Sequence, residues 1–417
     1  MLFGVTIIAG LLWLFYKHWV SVYTHWKEKG IPFHPAKFPF GSHPNLVKLK
    51  EYRGYTIDKM YHRFAPHPMF GIFFLRSPML IVRDPETIQL ILTKEFSHFR
   101  DRRILKISEK DVLNHHLFYL QGEKWRDLRM KLTPTFTSGK LKAMFPLFIS
   151  CAESFSSLLL SKSDSKIDIK ELMSRFTADV ICSCAFGLEL DVINHPDSKL
   201  RMIGIEKIKL QFLQKLKMAA TILFPALSTL LNMRFTSLED EKYILNLVKK
   251  IVEQREKNGI VRNDFIDLLM QSKNKGNQGD NEQEFEKTFE ITLELMAAQC
   301  YVFFLAGFET SSSLQSFCLY ELALHQDIQS RLIKEINEKI ENNNGLTYKA
   351  LHEMEYLDMI ISGMRFGLLQ TKVGIVTLLQ KCKVETCEDT KIPLVMGGIS
   401  ATTAPDEPII IKLIARS

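Results

Sequence analysis

Residues 295–308 form a fourteen-residue run without a charge, inside a helical pattern extending from about residue 285 to residue 325. A helix that is apolar around its whole circumference has to be wrapped by other elements rather than laid on a surface. The run falls short of the ~20 apolar residues that span a bilayer. Glu294 and Glu309 bracket it, so it reads as a buried core helix. The chain has 417 residues, 46% hydrophobic and 24% charged, an ordinary composition with ample apolar material to enclose such a helix.

The amino terminus adds a second constraint. Residues 1–16 carry no charge and are mostly Leu, Ile, Val and Phe. A helix continuing past Lys17 completes a span, because the lysine stem reaches back to the interface. Trp13, Tyr16, Trp19, Tyr23 and Trp26 supply interfacial aromatics. Neither a basic leading region nor a small-residue cleavage site is present, which favours a retained anchor over a cleaved signal peptide. Lys17, Lys27, Lys29 and Lys37 follow the run, and the positive-inside rule then puts the bulk of the protein in the cytoplasm. The expected organisation is an anchor over 1–22, a proline-rich linker over 23–45 with Pro32, Pro35, Pro39, Gly41 and Pro44, and a folded domain over 46–417.

The net charge of +7 fits either a solvated basic surface or contact with anionic lipid or an acidic partner. No nucleic-acid partner is expected. Cys151, Cys182, Cys184, Cys300, Cys318, Cys382 and Cys387 show no zinc-type pairing, so no metal-ligating residue is assigned. Cys182-x-Cys184 lies in an apolar stretch and reads as buried free thiols. Nothing suggests a secreted disulfide framework.

Along the domain, residues 69–82 are two β-rich runs split by Arg76-Ser77-Pro78, a hairpin. Asp84 caps a helix that has Pro85 at its first position. From Glu123 to about residue 270 the pattern is mainly helical, with breaks near Pro134, Pro196 and Pro225. Residues 271–284 are polar and rich in Gly and Asn, a surface loop. Beyond the core helix come a short helix, a helix over 366–380, and a terminal strand pair around Ile409-Ile410-Ile411. The whole is mainly α with a small β portion.

Two constellations carry chemistry. Trp125 and Arg129 stand four apart on one helical face, an indole N–H and a guanidinium able to clamp carboxylates. A surface arginine beside a half-buried tryptophan fits the same spacing. The second is Ala306-Gly307-Phe308-Glu309-Thr310-Ser311. Glycine within a helix costs about 1 kcal/mol against alanine, so Gly307 marks a place where something approaches the backbone. Thr310 is placed to bond a carbonyl one turn earlier, and Glu309 brings a carboxylate into an apolar helix. Hydroxyl, acid and opened groove suit proton delivery to a bound oxygen species; a helix kink with a back-bonded threonine accounts for the pattern as well.

These motifs, with Asp179-Val180-Ile181, Phe186-Gly187, Arg262-x-Asp264-Phe265, Tyr356-Leu357-Asp358, Arg365-Phe366-Gly367 and Gln370-Thr371-Lys372, resemble in order and spacing the microsomal cytochromes P450 of the insect detoxification type. The resemblance covers almost the full chain. It implies the cytochrome P450 fold, a haem (heme) cofactor and electrons from NADPH through a flavin-containing reductase. It also implies a small lipophilic substrate such as a xenobiotic, hormone or fatty acid, and a place on the cytoplasmic face of the endoplasmic reticulum membrane. By resemblance, Trp125 and Arg129 hold a haem propionate, Ala306 and Gly307 line the cofactor, and Glu309 and Thr310 are catalytic.

The chain departs from the family at Ser362–Gly363. After the Tyr-Leu-Asp helix the family continues into a Glu-x-x-Arg pair, a meander and a loop whose cysteine binds iron. Here Gly363-Met364-Arg365-Phe366-Gly367 follows at once, resembling the family just past that cysteine, and Ile361 takes the cysteine's place. The fold is thus expected to be incomplete, deleted at the 362/363 junction. Isoleucine cannot ligate iron, and the thiolate is what favours O–O cleavage. The expectation is a haem-thiolate monooxygenase relative that is inactive or impaired. The alternatives are a haem-free protein binding lipophiles or the reductase, and a non-productive splice product or faulty gene model.

Overall fold

A computed structural model describes residues 2–44, 51–102, 105, 107–208, 212–276, 290–361, 365–398 and 402–416. Helix α1, Leu2–Val20, passes through a 3-10 turn at Ser21–Thr24 into His25–Glu28. The combined segment is long and apolar enough to cross a membrane, with 6% of its most apolar window buried. It is a membrane-anchor candidate. Its end is fastened to a hairpin of β1 (Met69–Phe74) and β2 (Ser77–Val82). Trp26 Nε1 donates to Ile72 O at 3.0 Å and Tyr23 Oη to Leu75 O at 3.2 Å. The connector follows an irregular path beside the same strands, pairing Phe33 with Gly71 and Gly41 with Phe74.

The hairpin turns at Leu75-Arg76, not at Arg76-Ser77-Pro78. Phe74 pairs with Ser77 and Phe73 with Pro78, and Leu75 takes the left-handed conformation at φ 55°. Pro78 is tolerated in the strand because β2 pairs on one side alone, where no N–H is required of it. Asp84 caps α2 (Pro85–Leu92), accepting from Thr87 N at 2.8 Å, with Pro85 in the first turn as the sequence indicates.

Helices α3 (Gly122–Leu132), α4 (Ser138–Ser161), α5 (Ile169–Phe186), α6 (Leu238–Asn258) and α7 (Phe265–Gly276) surround the core helix α8 (Leu293–Leu324). Pro134 lies in a 3-10 turn between α3 and α4, while Pro146 sits inside α4 without ending it. Helix α4 is also apolar enough to span a membrane, yet its Phe148 and Phe155 are wholly buried, so it is a core helix. The polar stretch 271–284 differs from expectation: residues 271–276 complete α7, and 277–284 lie outside the described residues. Helix α8 starts later than its pattern implied. Thr292 caps it, accepting from Leu295 N at 3.2 Å, and 285–289 lie outside the described residues.

After α9 (Gln326–Asn342) come two short helices, Tyr348–His352 and Glu355–Ile360, then the buried Ile361. Residues 362–364, and with them the Ser362–Gly363 junction, lie outside the described residues. The chain resumes in α10 (Arg365–Lys381). Lys372 of α10 reaches back across the junction to Asp358 at 2.5 Å and to Leu351 O at 3.1 Å. The expected terminal strand pair is part of a three-stranded antiparallel sheet. β5 (Ile410–Ala415) lies between β3 (Lys166–Asp168) and β4 (Cys382–Glu385). β3 escaped the sequence reading because three residues carry too little alternation to register.

A buried charge cluster joins α6 to the start of α7. Arg255 Nη1 donates to Asp264 at 2.7 Å and Asp267 at 2.6 Å, and Nη2 to Asp264 at 2.5 Å. Gly187 ends α5 in the left-handed conformation at φ 67°, and a Cβ there would strike Arg255 and Asp264. The tight turn and the close approach both call for glycine. Removing the cation strands two buried carboxylates, so Arg255→Ala should destabilise the chain by about 3–5 kcal/mol. Thermal unfolding of the full chain in detergent micelles reads this directly; an unchanged midpoint would show that the cluster is not holding α6 to α7.

Candidate haem-side cavity

A cavity of about 680 Å³ lies among α3, α5, α8 and α10. Helix α8 presents Ala306, Gly307, Thr310 and Ser311 to it, residues of one face at helical spacing. Ala306 and Thr310 are open to the cavity. Thr310 Oγ1 donates to Ala306 O at 2.5 Å, the back-bond its position suggested. A Cβ on Gly307 would come within 2.7 Å of Ile181 Cδ1. What approaches the glycine backbone is therefore a side chain of α5, and the missing Cβ sets the distance between the two helices.

Arg129 reaches the cavity wall from α3. Its guanidinium is exposed and has no acidic partner among the described residues. Trp125, one turn earlier, is not part of that wall. It is half-buried and stands against Phe96 with ring centroids 6.0 Å apart. The structure thus brings Arg129, Ala306, Gly307 and Thr310 to one space and leaves Trp125 beside it.

Glu309 points elsewhere. It is buried, and its carboxylate lies 3.2 Å from Lys170 Nζ and accepts from Thr402 Oγ1 at 3.3 Å. Lys170, at the start of α5, also donates to Ser312 Oγ at 2.7 Å and Ser313 Oγ at 2.8 Å. Burial pushes the lysine's pKa down, and Glu309 opposes that shift. Nothing in the sequence singled out Lys170. Its neighbour Asp168 caps α5, accepting from Lys170 N at 2.9 Å, and that cap was the one local signal that a helix begins there.

The opposite wall is equally informative. Phe366 and Gly367, the first described residues of α10 in the wall, close it, and the Phe366 ring packs tilted against Phe148 with centroids 5.4 Å apart. The lining holds one thiol, Cys184 of α5, which the sequence reading had passed over as core. Burial pushes its pKa well above the ordinary thiol range, so it is a thiol rather than a thiolate. Among the described residues no three His, Cys, Asp or Glu side chains come together as a metal site.

The family model described as Cytochrome P450 matches residues 35–362. The chain belongs to the cytochrome P450 family. Among its relatives, the probable cytochrome P450 6a21 of Drosophila melanogaster is 36% identical over 394 residues, covering 93% of this chain and 76% of that protein. Cytochrome P450 6A1 of Musca domestica is 34% identical over 398 residues, covering 94% of this chain and 75% of that one. Cytochrome P450 6k1 of Blattella germanica is 34% identical over 425 residues, covering 99% of this chain and 78% of its own length. The P450 family implies haem, NADPH through a reductase, and monooxygenase chemistry.

The residues of this P450 chain fit part of a haem. Small residues on α8 leave room for a flat ring, apolar walls enclose it, and Arg129 offers a cation to its acidic edge. They do not supply the thiolate. Ile361 is apolar and buried, and the sulfur of the lining, Cys184, stands on a different helix, α5. The fit fails at the iron ligand.

Lys170→Met tests the ion pair beside the cavity. It leaves Glu309 buried with the Thr402 hydroxyl as its side-chain partner among the described residues, so the full chain should lose about 3–5 kcal/mol of stability. Adding Glu309→Gln should recover most of it. A double variant no more stable than Lys170→Met would show that the two residues are not coupled.

Proposed function

We propose that this chain is an impaired cytochrome P450, keeping the family's oxygen-side helix and part of its haem cradle but lacking the iron thiolate. The observation that carries this reading is at residue 361. The family match stops at Ser362, Ile361, which the resemblance sets in the cysteine's place, is a buried core residue outside the cavity lining, and α10 follows within a few residues with Phe366 and Gly367 in the cavity wall.

In this reading the ancestral reaction is NADPH-dependent oxidation of small lipophilic compounds such as xenobiotics, hormones or fatty acids. Arg129, helped by Trp125, serves the haem propionate, and Ala306 and Gly307 give the ring room. Thr310 and Glu309 are the proton-handling pair, with Glu309 held in reserve by Lys170. The thiolate is what equips the family's iron to cleave O–O, so its loss removes the chemistry these two residues would serve. Helix α1 anchors the chain in the endoplasmic reticulum membrane with the domain on the cytoplasmic face, where the reductase partner docks. The second reading, a splice product without a function of its own, is decided by transcript reads across Ser362–Gly363.

Two measurements test the proposal. The reduced carbon monoxide complex of any haem-loaded chain should lack the red-shifted thiolate band, and turnover with reductase and NADPH should stay at background. Restoring the family's segment between Ser362 and Gly363 should bring back both; a thiolate band in the unrestored chain defeats the reading. Separately, the intact chain should stay with the membrane pellet through an alkaline carbonate wash, and its release would remove the anchor from the account.

A further inference from the structure

We propose that the chain pairs with a second copy of itself through the outer edge of β2, joining two hairpins into one antiparallel sheet. The occupant of that edge is a strand rather than lipid, and the pairing is independent of what fills the cavity.

The backbone bonding fixes which groups are on offer. Gly71 and Phe73 of β1 turn away from β2 and bond the connector. Gly71 N donates to Pro32 O at 2.8 Å, His34 N to Gly71 O at 2.9 Å and Ser42 N to Phe73 O at 2.8 Å. Phe70, Ile72 and Phe74 therefore face β2, where they pair with Ile81, Met79 and Ser77. The alternate residues of β2, Pro78, Leu80 and Val82, point their backbone groups outward. Among the described residues nothing pairs with that edge, and Pro78, Met79 and Leu80 are exposed. The helix that follows, α2, has no buried residue, and its Ile88, Leu90 and Leu92 are exposed too. An open, apolar strand edge is a template for another strand, whereas acyl chains leave its N–H and C=O groups unpaired.

The edge is complementary to itself. Outward residues bond across it, so an antiparallel partner must set even-numbered positions opposite even-numbered ones. With Leu80 opposite Leu80 of the second copy, each Leu80 N–H donates to the other's carbonyl, and each Val82 N–H donates to Pro78 O of the other copy. Pro78, which has no N–H, serves as an acceptor alone. The same register sets Arg76 opposite Asp84 at both ends, with their side chains on one face of the sheet. Asp84 has an oxygen to give, since its bonds from Thr87 N and Oγ1 both go to Oδ2. Arg76 bonds His18 O through Nη2 at 3.1 Å, which among the described residues leaves Nη1 for the carboxylate. Slipping by two residues loses this match, placing Arg76 opposite Val82 or Asp84 opposite Pro78. The connector already covers the far edge of β1 through the Phe33–Gly71 and Gly41–Phe74 bridges, so the assembly closes as a twofold dimer instead of growing.

The test is sedimentation equilibrium of the full chain in density-matched detergent micelles, where a reversible dimer is expected. Leu80→Pro removes the central donors on the side away from β1, so the hairpin itself stays formed. Its dimer should be about thirtyfold weaker, the value of two ladder bonds. Leu80→Lys sets like charges face to face and should leave the chain monomeric where the parent is dimeric. Leu92→Lys, a comparable loss of exposed apolar surface away from the strand edge, should stay within a few-fold of the parent. Arg76→Glu and Asp84→Lys should each associate about fivefold less well alone. An equimolar mixture of these two should recover the parent affinity as a heterodimer, because each end again pairs opposite charges. Circular dichroism on each variant confirms that the helices are intact.

A parent chain that is monomeric at every concentration reached overturns the proposal, and so does a dimer that Leu80→Pro leaves unchanged. Association that Leu92→Lys and Leu80→Lys disrupt equally is contact between apolar surfaces rather than strand pairing, and overturns it as well. A mixture of Arg76→Glu and Asp84→Lys that fails to recover removes the Leu80-centred register and the proposal with it.

Discussion

Everything in this fold answers to the burial of α8. With no charge from residue 295 to 308, the helix has no face to offer water, and five or more neighbours are arranged to cover it. The closest is α5, which presses Ile181 into the gap left by the absent Cβ of Gly307. Side-chain hydrogen bonds then lock the layers. Thr177 of α5 donates to Phe308 O at 2.9 Å, Gln370 of α10 donates to Thr177 O at 3.0 Å, and Gln315 of α8 donates to Gln370 O at 3.0 Å. A chain of bonds from α8 to α5 to α10 and back fixes both the spacing and the register of three helices. The cavity is what remains where these helices diverge, and so its walls are rigid elements rather than loops.

The same burial explains how a carboxylate is kept at residue 309. An unpaired charge in this interior would shift its pKa or unfold the helix. Lys170 prevents that by entering from the neighbouring helix, with Ser312 and Ser313 completing its donor set. The consequence for the site is a division of labour. Thr310 faces the cavity, and its adjacent acid faces away into a paired cluster. Adjacent positions on a helix point about 100° apart, so hydroxyl and carboxylate cannot both line one narrow space without rotation of a side chain.

Legibility followed the physics of each element. The core helix, the anchor candidate, the Asp84-Pro85 start and the hairpin were readable because each rests on local pattern or local capping. Arg129, Ala306, Gly307 and Thr310 were readable as a group through family resemblance, and the geometry brings these four to one cavity. Cys184 was readable as a buried free thiol, whereas Lys170 and Phe303 were not, since their places come from packing between segments far apart in sequence. The ends of α7 and α8 were misjudged for the opposite reason. Polar composition suggested loop across 271–276, yet these residues extend a helix already anchored by Phe265 and Leu269 in the core, and tertiary contact overrode composition.

The junction shows the same conflict between levels from the other side. Helix α10 is well formed and well buried, and Val373, Val376 and Leu379 are fully enclosed. Its polar groups fare worse. Gln370 Oε1, Thr371 Oγ1 and Thr377 Oγ1, with Gln315 Oε1 opposite, are buried without a partner among the described residues. Native interiors rarely leave such atoms unpaired, and each costs about 1–3 kcal/mol. Lys372 by contrast is satisfied, by Asp358 and Leu351 O on the far side of the junction. One end of the helix interface has thus closed on the residues that precede Ser362, while the hydroxyls and amides beside it keep unused capacity. A helix selected with this chain length would be expected to trade those groups for apolar ones, since pairing or removal restores the lost free energy equally well. Their retention beside an otherwise complete core leaves α10 with polar capacity that its described neighbours do not use.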